Sequence, residues 1–354
     1  MKYRYVRAYE NSSINSFCVV PGTTSSDLVL TGGGNDFRIK LFKLEVQDYQ
    51  QSQLCTNGEL RVFPTYHTNS INALDCSQAG DFFISASQHK IVAIDMVTQK
   101  KICQLTNVPK QTAKSSEEES FYSSTSKTPV SIRDEVLDCK LLNDNLVASC
   151  GVSHHLNLFD LRQSTYKAIF SINMGNDNLN SLDCNRVMGT NEFDFTTDSA
   201  SVGSSNGNLY TVDFRNQQLI TDSFSELGSI MAVSRKGETR SLITLGDGSV
   251  VGFDNRENKR AWSFNRGSSL NYKLNSDTIP QFKYVITCSE TGQLHTYTHE
   301  GRLVRSLTIP SLDSSIGDSP EALLLNIVHY QKEQNRILST SGNGIIHLWD
   351  DVFS

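Results

Sequence analysis

Four residue patterns in this chain have the types and spacing of chemistry. Gly203-Ser204-Ser205-Asn206-Gly207 matches the G-x-S-x-G pattern, in which a serine on a strained strand-to-helix turn exposes its hydroxyl beside an oxyanion hole. His154-His155 offers two imidazoles to a metal ion. Gly32-Gly33-Gly34 offers the bare backbone that phosphate-binding loops need. The fourth pattern recurs in Phe159-Asp160-Leu161-Arg162, Val212-Asp213-Phe214-Arg215 and Phe253-Asp254-Asn255-Arg256, each with an Asp two residues before an Arg. A guanidinium fork at such a place binds carbonyls or carboxylates of a partner, or pairs with its own Asp.

The elements around these residues decide which chemistry survives. Seven stretches share one plan: an apolar β-rich run, a small or polar turn, and a second run ending in an aromatic or aliphatic residue. They begin at Leu28, Phe82, Leu146, Ser199, Arg240, Tyr284 and Arg336. Each reads as a hairpin, with Asn206-Gly207, Asp247-Gly248 and Asn343-Gly344 as turn dipeptides. The G-x-S-x-G serine therefore sits in a hairpin turn with no helix behind it. The two histidines fall at a turn and strand start, where adjacent side chains point to opposite faces. The three glycines precede a strand and read as a wide hairpin turn.

Near the end of each second run stands a hydrophobic anchor: Phe42, Ile94, Phe159, Val212, Phe253, Tyr297 and Trp349, spaced 41 to 65 residues apart. WD repeats run about 40–45 residues, so the longer gaps require loop insertions. On these residues the chain resembles the WD-repeat family. Trp349-Asp350 is the family's Trp-Asp pair, Phe159-Asp160 and Phe253-Asp254 are conservative versions, and Ile94-Asp95 and Val212-Asp213 keep the Asp. Phe42-Lys43 and Tyr297-Thr298 lose it, and the family's Gly-His pair survives as Tyr66-His67. The resemblance implies an all-β fold, a seven-bladed propeller occupying residues 1–354 as one domain.

The innermost strands are expected at Ile14–Val20, Ile71–Cys76, Glu135–Leu141, Asn180–Arg186, Ser229–Ser234, Leu270–Leu274 and Ala322–His329. Outer strands are expected at Leu60–Phe63, Lys101–Leu105, Lys167–Ile172, Leu219–Phe224, Arg260–Phe264 and Arg302–Leu307. The seventh outer strand is left for Tyr3–Tyr9, so the N-terminus closes the ring and removes its open edge. Asn107–Asp134 is Ser/Thr-rich, locally acidic and nearly free of aliphatics, and reads as a disordered loop between blades two and three. Pro310–Pro320 reads as a shorter polar loop. Ser115 and Ser116, each three residues before Glu, and Thr128 and Ser319, each before Pro, are candidate phosphorylation sites.

Composition bounds the function. A net charge of −6 without a Lys/Arg block argues against direct nucleic-acid binding. No apolar run is long enough to cross a bilayer and no apolar stretch follows the N-terminal basic residues, so cytoplasm or nucleus is the expected compartment. The eight cysteines lack zinc spacing, and Leu74-Asp75-Cys76, Leu137-Asp138-Cys139 and Leu182-Asp183-Cys184 read as equivalent strand positions in three repeats. No catalytic, cofactor or metal site is expected. The expected function is a non-catalytic scaffold binding other proteins within a complex. The Asp-x-Arg triplets resemble those of WD proteins that dock on the adaptor of cullin-type ubiquitin ligases, which implies a substrate-receptor role for Arg162, Arg215 and Arg256 as the alternative. A hydrolase on a propeller would need His, carboxylate or Ser clusters facing the central channel, which the sequence does not display.

Overall fold

The computed structural model describes residues 1–10, 12–21, 27–44, 58–106, 135–163, 167–184, 199–236, 240–267, 270–279, 283–309 and 324–353. The expected loops Asn107–Asp134 and Pro310–Pro320, with Ser115, Ser116, Thr128 and Ser319, lie outside the described residues.

Among the described residues, twenty-eight strands form seven antiparallel four-stranded sheets. The innermost strands are Ile14–Val19, Ala73–Cys76, Val136–Leu141, Leu179–Cys184, Ile230–Lys236, Ser276–Ile279 and Leu325–Gln331, and neighbouring ones touch all the way round the ring. Each is followed by two hairpin strands, such as Phe82–Ser87 and Lys90–Asp95 in blade two, and then by an outermost strand. The outermost strands are Glu59–Val62, Lys101–Thr106, Phe170–Asn173, Gln218–Ser223, Lys259–Asn265, Leu303–Thr308 and, in blade seven, Lys2–Arg7. The fold is thus the expected seven-bladed propeller. Among the described residues the one helical piece is a 3-10 turn at Ser225–Leu227.

All seven anchors stand on one rung. Phe42, Ile94, Phe159, Val212, Phe253, Tyr297 and Trp349 each pair with the second residue of the preceding strand: Val29, Phe83, Val147, Ala200, Ser241, Val285 and Ile337. All seven are buried. The hydrophobic core divides into seven clusters, each at an interface between successive blades. Leu30, Phe63, Phe83 and Ile94 sit between blades one and two, and Ile286, Leu294, Ile337 and Trp349 between blades six and seven. A blade has two apolar faces and cannot bury either alone, so the closed ring is what removes them from water.

The closing strand pairs antiparallel with Ile345–Asp350, Tyr3 opposite Trp349. Charge completes the seam. Asp350 pairs with Arg4 of that strand and with Arg336 of the preceding one, and Arg336 reaches on to Asp27 of blade one at 2.8 Å.

Three expectations need correction. Blade six takes its innermost strand from Ser276–Ile279, not Leu270–Leu274; Leu270 and Leu274 are buried in the loop before it. The strand was hidden because its buried residues Ser276 and Asp277 are polar and bond to neighbouring blades. Gly32 and Gly33 are strand residues of Leu28–Gly33, not turn residues; a Cβ on Gly32 would strike Ser16 and Ile71. The Leu-Asp-Cys triplets are not all equivalent. Cys76 and Cys184 lie opposite Phe83 and Ala200, the second residues of their partner strands, whereas Cys139 lies opposite Ser149, the fourth.

Candidate protein-binding site

The Asp-x-Arg turns join the third strand of a blade to its outermost strand. The Asp closes the third strand and accepts the N–H of the Arg two residues on: Arg162 to Asp160 at 3.0 Å, Arg215 to Asp213 at 2.9 Å, Arg256 to Asp254 at 2.9 Å. A carboxylate that accepts N–H groups in a turn replaces a missing backbone ladder. In blades four and five the last turn residue, Gln217 or Asn258, takes a positive φ and returns the chain to the outer edge. The three arginines occupy the same position in blades three, four and five, and all are exposed.

Arg162 folds back on its own Asp160, Nε and Nη2 donating to the two carboxylate oxygens at 2.9 and 2.7 Å. That hydrogen-bonded pair holds the Asp160 carboxyl below the usual range and raises the Arg162 guanidinium. Asp254 is also lowered, by backbone N–H groups of Glu257 and Arg256.

A second set of carboxylates, which the sequence reading passed over, faces the next blade from the innermost strand. Asp75, Asp183 and Asp277 each accept a backbone N–H from the following blade, of Leu141, Arg235 and Tyr330, at 2.7, 2.7 and 2.8 Å. One level along, Asp138, Ser181 and Asn275 accept from Leu182, Val233 and Val328 at 3.0, 3.0 and 2.6 Å. Asp138 belongs to this second tier because its strand is displaced by two residues. A two-residue displacement keeps a side chain on the same face, so the role is kept at a new level. Ser16, Asn72, Asn180 and Asn326 donate to carbonyls of the next blade. Lys140 lies among Asp75, Asp138 and Asp183; burial would lower its pKa, but the three carboxylates raise it. Lys273, from the loop entering blade six, donates to the Asn180 carbonyl of blade four at 2.7 Å and stands 3.9 Å from Asp138 of blade three.

The model of the WD domain, G-beta repeat family matches residues 58–94. That span runs from the outer strand of blade one to the anchor of blade two. The other six blades repeat its strand order and its anchor rung. One blade of this seven-bladed β-propeller thus carries a repeat of the WD family. No curated protein matches the chain.

The matched span includes the Tyr66-His67 position. His67, buried in the loop before the innermost strand, shares a 2.8 Å hydrogen bond with Ser85, and burial lowers its pKa to about 4. Blade four puts Asp177 in the corresponding loop. Its carboxylate accepts from Ser204, Asn206, Asn208 and Tyr210, and although burial opposes ionisation these donors hold its pKa down. In blade seven His347 bonds Ser341 at 2.9 Å and the Tyr3 hydroxyl at 2.7 Å. Blades two, four and seven thus hold these positions with different polar clamps.

The remaining motifs take structural places. The Ser205 N–H closes the blade-four turn on the Asn178 carbonyl at 2.8 Å, and the neighbouring Ser204 hydroxyl is bound to Asp177. His154 occupies a turn at φ 61° and His155 starts the next strand. Cys76, Cys139 and Cys184 are buried. Among the described residues no group of three His, Cys, Asp or Glu side chains is arranged to hold a metal ion. Among the described residues no helix is long and apolar enough to cross a membrane.

Proposed function

We propose that this propeller is a non-catalytic scaffold that holds other proteins together in a complex. The observation that carries the reading is where the polar chemistry is spent. The inner-strand carboxylates Asp75, Asp138, Asp183 and Asp277 bond to the next blade's backbone, so the residues nearest the axis stiffen the ring. A rigid ring presents preformed surfaces, and preorganisation lowers the entropy lost on binding. Purifying the tagged chain from its native cells and identifying what remains bound tests this. A reproducible set of near-stoichiometric subunits supports the scaffold; a chain recovered alone at several salt concentrations overturns it.

A second reading is favoured by the equivalent placement of Arg162, Arg215 and Arg256 on consecutive blades. In it the propeller is a substrate receptor whose Asp-x-Arg turns dock on the adaptor of a cullin-type ubiquitin ligase. The double variant R215A/R256A tests it. Loss of an arginine at an interface hot spot costs about 2 kcal/mol or more, roughly thirtyfold in affinity. A variant that melts like the parent but loses the adaptor supports docking. One that melts lower and binds in proportion to its folded fraction assigns the arginines to the fold instead.

A further inference from the structure

The loop leading from blade five into blade six forms a cavity of about 150 Å³ against the hairpin turn of blade six. Its wall includes Arg266, Ser289, Glu290, Thr291 and His295. Arg266 is pinned by two carbonyls: Nε donates to Gly248 at 3.0 Å and Nη1 to Cys288 at 2.8 Å. Its Nη2 is buried and has no acceptor among the described residues. Carbonyls fix the guanidinium without neutralising it. The nearby carboxylates are committed elsewhere. Glu290 accepts the N–H groups of Asn271 and Tyr272 at 2.5 and 3.1 Å and the Asn271 amide at 3.2 Å. Asp247 accepts the N–H and hydroxyl of Ser249 at 2.7 and 2.8 Å and the Asn265 amide at 3.3 Å.

The Ser289 and Thr291 hydroxyls share one hydrogen bond at 2.8 Å, so one hydroxyl proton is left over. The His295 ring is held at Nδ1 by Ser306 at 2.9 Å. Glu290 is the carboxylate of this wall and its oxygens are taken by Asn271 and Tyr272, so the hydrogen-bonding capacity left over is that of donors, Arg266 Nη2 and one hydroxyl of the Ser289–Thr291 pair. The cavity is too small for a whole drug-sized ligand, whose sites run about 300–1,000 Å³, and matches the end of one side chain. Tyr272, 42 % exposed, stands in the same loop, and an exposed aromatic beside a pocket is a typical anchor for a peptide.

We propose that this blade-six cavity binds a single oxyanion, carboxylate or phosphate ester, carried on a peptide side chain of a partner. The peptide carrier rests on the scaffold reading; the donor wall does not. A charged acceptor is preferred over a neutral carbonyl because it also neutralises the guanidinium, which the two carbonyls leave uncompensated.

Fluorescence anisotropy with three labelled degenerate peptide pools tests the proposal. Their central residue is phosphoserine, glutamate or alanine, and each is titrated with the full chain at constant ionic strength. The phosphoserine or the glutamate pool should bind about tenfold more tightly than the alanine pool, and the winning pool identifies the source of the oxyanion. R266K, which keeps the charge and loses the fork, should abolish that advantage. T291V, at an exposed position, should reduce it and keeps the test intact if R266K does not fold. Equal binding of all three pools means that the cavity holds water only and overturns the proposal. An advantage that survives in folded variants places the oxyanion elsewhere and overturns it too. A chain that prefers an oxyanion pool yet purifies alone from cells loses the scaffold reading and keeps the cavity.

Discussion

Asp75 shows what a single residue does in this ring. Its carboxylate accepts the N–H of Cys76 within its own strand at 3.1 Å and that of Leu141 in the next blade at 2.7 Å. D75A would leave two buried donors without acceptors, at about 1–3 kcal/mol each. Urea denaturation should show a loss of about 3 kcal/mol for D75A and a smaller one for D75N, whose amide oxygen still accepts. Buried histidines give the ring a pH dependence of definite sign. Burial holds His67 at about 4 and His347 at about 3, against about 6.5 in the unfolded chain. Below pH 6.5 the unfolded chain takes up protons that the folded chain refuses, so stability falls as pH falls towards 4. The contribution of His67 is on the order of 3 kcal/mol at pH 4. Chemical denaturation at several pH values should show this slope, and H67N should flatten it.

Strands are the unit at which the ring is closed or left open. The N-terminal strand Lys2–Arg7 covers the edge of Ile345–Asp350 and buries Tyr5 and Val6. Deleting residues 2–7 should lower the melting temperature by several degrees and promote aggregation, read by light scattering during heating, because an uncovered edge pairs with other chains. An unchanged melting curve would exclude the strand from the closure. R4A alone should give a milder loss, since it removes one pair to Asp350 and leaves the backbone ladder in place. The strand displacement in blade three belongs to this scale as well. Leu137-Asp138-Cys139 looks identical to its counterparts as letters, yet it serves the second tier of inter-blade bonds.

At the scale of the whole molecule, seven interfaces share the apolar core, and the thiols report on four of them: Cys76 between blades one and two, Cys103 and Cys139 between two and three, Cys150 and Cys184 between three and four, and Cys288 between six and seven. Eight cysteines occur in the chain. Cys76, Cys103, Cys139, Cys150, Cys184 and Cys288 are buried, and Cys18 is half-buried. Burial raises the thiols of Cys103, Cys139, Cys150 and Cys288, which makes them poor nucleophiles. A thiol-reactive dye should therefore label the half-buried Cys18 well before the six buried cysteines in the native protein, and all eight cysteines of the chain after denaturation. Rapid labelling of most thiols without denaturant would mean that the blade interfaces open.

Much of this architecture was legible before any tertiary contact. The seven anchors are large or β-branched residues that recur with the hairpin, and a period-two strand leaves each of them one place to go. Blade number, anchor rung and N-terminal closure all follow from that periodicity. Blade six resisted, since its inner strand buries Ser276 and Asp277 against its neighbours, and a strand recognised by apolar alternation cannot announce buried polar residues. The inter-blade carboxylates stayed hidden for the same reason: an Asp in a strand reads as exposed until the N–H of Leu141, Arg235 or Tyr330 is seen to meet it. The Arg266 cavity likewise draws on residues from two separate loops. Periodicity along one chain specifies which residues enter each blade. Only the closed ring brings side chains dozens of residues apart into hydrogen-bond range, and that is where the polar bonds between blades and the candidate binding cavity are decided.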